Sequence, residues 1–395
     1  MTDTALLAVA LAAIAGLVAG RTWATARQRG AAADIVGDRA SRHLFQGLHH
    51  LTAGHSDLAM SAFVKVRRSH PDSVGVALAL GNLLRESGHV ERALQLHHGV
   101  LERVDLTRRE RANALGCLGM DSLRAGFIDR ATRAFQEVLD IDPHNIPAWA
   151  GLAKIQEDQR RWLDAYHSRT RLARLRKTDD APVLAFLQAE LGHEAARDGQ
   201  LDQAERAFRH ALGLSRRVVP AYLGLSDVLA KSDARRAAAI LEDLVRTVPE
   251  KAYHAFDRLA RLYAAQGQPD RFLTLCEQLI EQDPQDWRAR LALARCLRAD
   301  GRAREALGLL WRAVEVHPHA LIVHLEAWRA LRDLGLGGKT LEEYVALAES
   351  AVIYADPHIC SVCRYRAGET LWRCPHCHEW GTMVEERVAP SDSRR

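Results

Sequence analysis

Seventeen uncharged residues, Thr4 to Gly20 (TALLAVALAAIAGLVAG), form the first strong feature of the hydropathy pattern, bounded by Asp3 and Arg21. At ~1.5 Å per residue they reach ~25 Å, the short end of what crosses a bilayer. The pattern therefore predicts one transmembrane helix within residues 1–22, with Trp23 placed at the interface. A cleaved signal peptide would need a positive leader, and only Met1, Thr2 and Asp3 precede the run. Arg21, Arg27 and Arg29 follow it instead. By the positive-inside rule the short N-terminus lies outside and the bulk of the chain inside, after a juxtamembrane linker at 23–40.

From about residue 41 the apolar positions take helical spacing and repeat. Small residues that suit the crossing of two helices form a ladder, broken locally at Phe272: Ala59, Ala93, Ala131, Ala165, Ala204, Ala238, Phe272 and Ala306. Successive gaps are 34, 38, 34, 39, 34, 34 and 34. Five residues before each rung stand Gly54, Gly88, Gly126, Arg160, Gly199, Asp233, Gly267 and Gly301, six of them the residue that ends a helix in the left-handed conformation. Pro71, Pro143, Pro284 and Pro318 close the second helix of their units. Leu80-Gly81, Leu118-Gly119 and Leu191-Gly192 mark where two first helices are expected to pack closely. The longer gaps read as insertions at Val104–Arg109 and Arg176–Ala181, the second a charged RKTDDAP segment expected to joint two sub-arrays.

A 34-residue helix–turn–helix unit with small residues at these offsets resembles the tetratricopeptide repeat (TPR). The resemblance covers residues 41–318, about eight units, followed by capping helices at 319–357 that include KTLEEYVALAESAVIYA. It implies a superhelical solenoid that offers a binding surface rather than catalysis. Counted in register, Arg261, Arg288, Arg295 and Arg298 face its groove, a candidate dock for an acidic segment set against the plainer reading of a solvated helix face. Of the Lys/Asn/Arg set with which such grooves clamp a carboxylate, only Asn82 and Arg85 stand at comparable places.

Composition narrows the partners. Net charge is +4, from 54 basic and 50 acidic residues, without the concentrated basic face that nucleic acid demands. Cys117, Cys276 and Cys296 lie among Leu and Ala and read as small core residues. The adjacent pairs His49-His50 and His97-His98 point to different parts of a helix surface rather than to one ligand site. His193-Glu194 lacks a second histidine at Arg197, and no phosphate loop or nucleophile elbow occurs, so the chain is expected not to be an enzyme.

The remaining four cysteines carry the chemistry. Cys360-Ser-Val-Cys363 and Cys374-Pro-His-Cys377 are two C-x₂-C knuckles ten residues apart, a spacing that brings four thiolates to one ion. Two strained disulfide loops suit the context less well. A segment from His358 to about Val388 is too small for a core of its own, so the metal supplies much of its folding energy. Residues 389–395 are expected to be a disordered tail. Tyr365, Trp372 and Trp380 are expected to pack beside the ion and against the array. The segment resembles the rubredoxin-type fold, which holds one iron or zinc ion. Its usual glycine after each second cysteine is replaced by Arg364 and His378, a departure that favours a closed structural site over electron transfer. Both metals suit four thiolates.

The whole is an all-α TPR superhelical solenoid with one N-terminal transmembrane helix and a small C-terminal rubredoxin-like Cys₄ metal module. This order, together with CSVCRYRAGETLWRCPHCHEW, resembles the lipopolysaccharide assembly protein B family. The resemblance implies a non-enzymatic adaptor in the bacterial inner membrane, single-pass, with a periplasmic N-terminus and a cytoplasmic bulk. It implies as partners the FtsH protease, the LpxC deacetylase whose degradation is promoted, and other membrane proteins of lipopolysaccharide assembly. Two rival readings stand beside it: a redox protein whose Cys₄ centre shuttles electrons, and a generic TPR scaffold of another envelope complex.

Overall fold

The computed structural model describes residues 42–318, 320–339, 341–343, 345–346 and 358–385. The apolar run at 4–20, the linker, the chain after 385 and most of the expected cap lie outside the described residues. Among those described, no helix is long and apolar enough to cross a membrane. The chain divides into two compact units, Met1–Arg160 with Arg174–Arg176, and Arg161–Ala173 with Lys177–Arg395.

The first unit carries α1 (42–52), α2 (Ser56–Ser69), α3 (Val74–Glu86), α4 (Val90–Leu101), α5 (Arg108–Arg124), α6 (Ile128–Ile141) and α7 (Ile146–Asp158). Each ladder glycine here takes the left-handed conformation, Gly54, Gly88 and Gly126 at φ 75°, 83° and 81°. That conformation lets the first helix stop and the chain reverse within a few residues. Arg160 does the same at φ 57° without being glycine. The rungs Ala59, Ala93 and Ala131 are fully buried, since only a small side chain fits where paired helices cross.

The glycines of the Leu-Gly pairs serve a different contact from the one expected. A Cβ on Gly119 would stand 2.7 Å from the Phe135 ring, and one on Gly151 2.5 Å from it. Phe135 belongs to the second helix of its own repeat and lies against both neighbouring first helices. The close approach is therefore ring to backbone, not first helix to first helix. Phe63 against Gly47 makes the same socket two repeats earlier. In the repeat between them, the side chain over Gly81 is His97.

The second unit begins with α8 (Trp162–Arg176) and continues through α9 (Ala181–Arg197), α10 (Leu201–Leu214), α11 (Val219–Leu229) and α12 (Ala234–Thr247). A 3₁₀ turn at Pro249–Ala255 leads into α13 (Phe256–Ala265), α14 (Asp270–Gln282), α15 (Trp287–Ala299), α16 (Ala303–Val316) and α17 (Leu321–Asp333). Phe208 fills the socket against Gly192. Asp233 departs from the glycine pattern because it caps the next helix: its carboxylate accepts from the N–H groups of Arg235 and Arg236, both at 3.0 Å. Helices α14 and α16 end two residues before Pro284 and Pro318, as α2 and α6 do before Pro71 and Pro143. Helical residues resume within 338–346.

The C-terminal segment of this unit is a small antiparallel sheet of β1 (His358–Cys360), β2 (Arg366–Ala367) and β3 (Met383–Glu385), ordered β2-β1-β3. Its register pairs Ile359 with Arg366 on one side and with Val384 on the other.

Candidate metal centre

The two knuckles are copies of one turn. Arg364 N–H donates to the Cys360 carbonyl and His378 N–H to the Cys374 carbonyl, each at 2.9 Å. Cys360 N–H donates to the Tyr365 carbonyl at 2.8 Å and Cys374 N–H to the Glu379 carbonyl at 2.9 Å. Arg364 and His378 both lie in the left-handed region, at φ 64° and 63°. The absent glycines therefore do not change the turn: two L-residues adopt the glycine conformation, at a cost of about 1 kcal/mol each. Arg364 and His378 thus leave the turn as glycine would, and do not by themselves favour a structural site over an electron-transfer one.

The turns bring the four sulfurs together. Cys360 Sγ lies 3.6 Å from Cys377 Sγ and Cys363 Sγ 3.5 Å from Cys374 Sγ. All four lie within 4.8 Å of one another, the one such group of His, Cys, Asp and Glu ligands among the described residues. A tetrahedral ion with bonds of ~2.3 Å has S···S edges of ~3.8 Å, whereas a disulfide needs ~2.05 Å. The donor set fits a single ion, and no pair is oxidised. Cys360 and Cys374 are fully buried, Cys363 and Cys377 partly exposed. Around Cys360, burial opposes ionisation, but the Thr382 hydroxyl at 3.2 Å and the backbone N–H groups of Cys363 and Val362 outweigh it and pull the thiol below its ordinary range. Thr382 is thus a supporting residue that the C-x₂-C spacing could not point to.

The module is fastened to helices of its own unit. The Trp380 ring stacks on Phe186 of α9, centroids 5.4 Å apart at 22°, and meets Trp162 of α8 edge-on at 6.1 Å. Trp372 packs 5.3 Å from His254 in the 3₁₀ turn, whose imidazole is driven down to about 4 by burial, so the ring sits there neutral. Glu385 pairs with Arg288 of α15, whose guanidinium also lies over Tyr253 at 4.3 Å and Trp287 at 4.8 Å. Two of the three aromatics expected at this contact are there. Tyr365 is not: it stacks on His376 within the module at 6.4 Å.

The arginine patch read from the sequence is largely consumed within the chain. Arg295 and Arg298 converge with Arg329 on the nearly buried Glu326, at 3.1, 2.5 and 3.0 Å, and Arg298 also binds Asp333 at 2.7 Å. Arg288 belongs to the module contact. Arg261 lines a cavity of about 340 Å³ with Asp227, Arg258 and Leu262.

The sequence reading passed over a buried ionic network in the first unit. His97 and Asp121 are both fully buried, joined at 2.5 Å from Nδ1 to Oδ2, while Arg85 Nη1 donates to Asp121 Oδ1 at 3.0 Å. His97 Nε2 reaches the Leu78 carbonyl at 3.3 Å. Despite burial, the Asp121 carboxylate and Cys117 raise His97 to about 9, so the ring is an imidazolium. Its neighbour His98 is exposed, so the adjacent pair splits between core and solvent. The available signal was the ladder: the residue four after the rung is Phe63, Phe135 and Phe208 in three repeats and His97 in this one.

Comparison with known proteins bears on the whole chain. A family model described as rubredoxin metal binding domain matches residues 358–385. Tetratricopeptide repeat models match 226–286 and 263–331. Lipopolysaccharide assembly protein B of Escherichia coli K12 is 25% identical over 391 residues, covering 97% of this chain and 98% of the relative. The chain is thus similar to lipopolysaccharide assembly protein B along nearly its whole length. The protein of that name from Haemophilus influenzae is 24% identical over 398 residues with the same coverage. Among solved structures, YrrB, described as a TPR protein with an unusual peptide-binding site, matches 50% of this chain and 98% of its own at 21% identity and a TM-score of 0.36. Family likeness therefore rests on end-to-end sequence and on the metal module, not on superposition.

Proposed function

We propose that the chain is a non-enzymatic inner-membrane adaptor of lipopolysaccharide assembly, anchored by residues 4–20, whose repeat surface presents the LpxC deacetylase to the FtsH protease. The observation that carries this reading is the likeness to lipopolysaccharide assembly protein B over 97% of the chain, metal module included. Cys360, Cys363, Cys374 and Cys377 hold one iron or zinc ion as thiolates. The ion folds the module, and Trp380, Trp372 and Glu385 then bind it to the helices that partners must recognise. Anchoring adaptor, enzyme and protease at one bilayer surface raises their effective concentration without any new contact. Depleting the chain in its bacterial host should lengthen the half-life of the deacetylase and raise lipopolysaccharide. Unchanged turnover of the enzyme would refute the adaptor role while leaving the family likeness intact.

A further inference from the structure

The two knuckles share one turn but not one set of hydrogen-bond donors. Backbone N–H groups of Val362 and Cys363 donate to Cys360 Sγ, as the turn itself dictates. A further donor comes from outside the turn, the Thr382 hydroxyl, 3.2 Å from that sulfur. Cys374 is the other buried cysteine of the four. The side-chain neighbour of its sulfur is Cys363 Sγ, and no hydroxyl stands beside it among the described residues.

Thr382 is held where it can act on Cys360. Its carbonyl accepts from the N–H of Ser361 at 2.9 Å, and Met383 pairs with Cys360 across β1 and β3. Gly381, before it, donates to the Trp372 carbonyl at 2.7 Å. Thr382 therefore joins the chain leaving the second knuckle to the strand that enters the first. Its hydroxyl has one proton and two acceptors in reach, Cys360 Sγ and the Glu379 carbonyl at 3.5 Å. A thiolate at the shorter distance takes the proton, because a bond to a charged acceptor is roughly twice as strong as one to a neutral group. Cys363 and Cys377 are partly exposed to water, whereas a buried thiolate must find its donors within the protein. We propose that Thr382 is a positioning residue of the metal centre, whose hydroxyl orients the Cys360 thiolate and draws charge from it. This rests on the reading of the four cysteines as ligands of one ion and adds to it a residue outside the C-x₂-C pattern. Four thiolates outweigh the charge of a divalent ion, so a donor that withdraws density from one sulfur lessens their mutual repulsion and strengthens the hold on the ion.

The test uses the full-length chain, stripped by chelation under reducing conditions and reloaded with Co²⁺, whose thiolate-to-cobalt absorption reports on the sulfurs directly. Thr382→Val keeps the shape of the side chain and removes the donor, while Thr382→Ser keeps the donor. By chelator competition the valine chain should bind Co²⁺ about tenfold to a hundredfold more weakly than the parent. Its thiolate-to-cobalt band should move to longer wavelength, since a sulfur without its donor gives up electron density more easily. The serine chain should match the parent in both. A valine chain with parental affinity and band overturns the proposal. So does a serine chain that fails as valine does, because packing rather than the hydroxyl is then the cause. If the valine chain takes up no cobalt, the serine chain decides by the same criterion. A parent that binds no Co²⁺ removes the four-ligand reading itself, a failure told apart by the missing band.

Discussion

Raising the pH should loosen the first unit through one side chain. His97 is held as an imidazolium, raised from an ordinary 6.5 to about 9. A group whose folded value is raised stabilises the fold fully below its unfolded value and loses that contribution as pH rises through the folded value. The window is thus 6.5 to 9. At 1.36 kcal/mol per unit, the linked stability is about 3 kcal/mol, roughly a hundredfold in an opening equilibrium. Hydrogen exchange of the intact chain, read by mass spectrometry and corrected for intrinsic rates, should show protection across α3, α4 and α5 falling about a hundredfold between pH 6.5 and 9.5. Peptides from α9 to α11 serve as the internal reference. His97→Phe alone should weaken the unit at every pH, because it leaves Asp121 buried with only Arg85. His97→Phe with Asp121→Leu restores the residues that other repeats carry, Phe135 at one place and Leu83 at the other, and should be as stable as the parent and free of the pH dependence. Equal protection of α3–α5 at both pH values would refute the charged-histidine reasoning, and so would a pH-sensitive double variant.

Other consequences follow from the metal module and its seat. Cys374→Ser with Cys377→Ser, or chelation of the parent, should release one metal ion per chain and make residues 358–385 protease-sensitive; a module that stays resistant without metal would show that its fold does not depend on the ion. Trp380→Ala removes the stack on Phe186 and Trp162 and should lower unfolding stability of the second unit by about 2 kcal/mol, measured by denaturant titration with metal bound. Arg364→Gly should raise the melting temperature of the metal-loaded module by relieving about 1 kcal/mol of left-handed backbone cost, and an unchanged or lower value would count against that account of the knuckle.

Much of the protein was readable from its residues because its rules are local. A 34-residue period, small residues at helix crossings and glycines at helix ends depend only on chain geometry, and so does the pairing of C-x₂-C turns around an ion. Arg160 and Asp233 show the limit of that logic: one enters the left-handed turn without being glycine, and the other replaces it with a cap. Which charges meet which is a long-range matter. Arg295 and Arg298 looked like a docking surface until α17 brought Glu326 beneath them. His97 looked like half of a surface pair until α3 and α5 enclosed it with Asp121. Partners 24 to 36 residues apart leave no periodic mark, since each is set by the packing of neighbouring repeats. Sequence alone therefore determined the repeat, the knuckles and the family likeness. Only the tertiary structure decided where charge is neutralised, which aromatics seat the module, and that a phenylalanine socket has been given to an imidazolium.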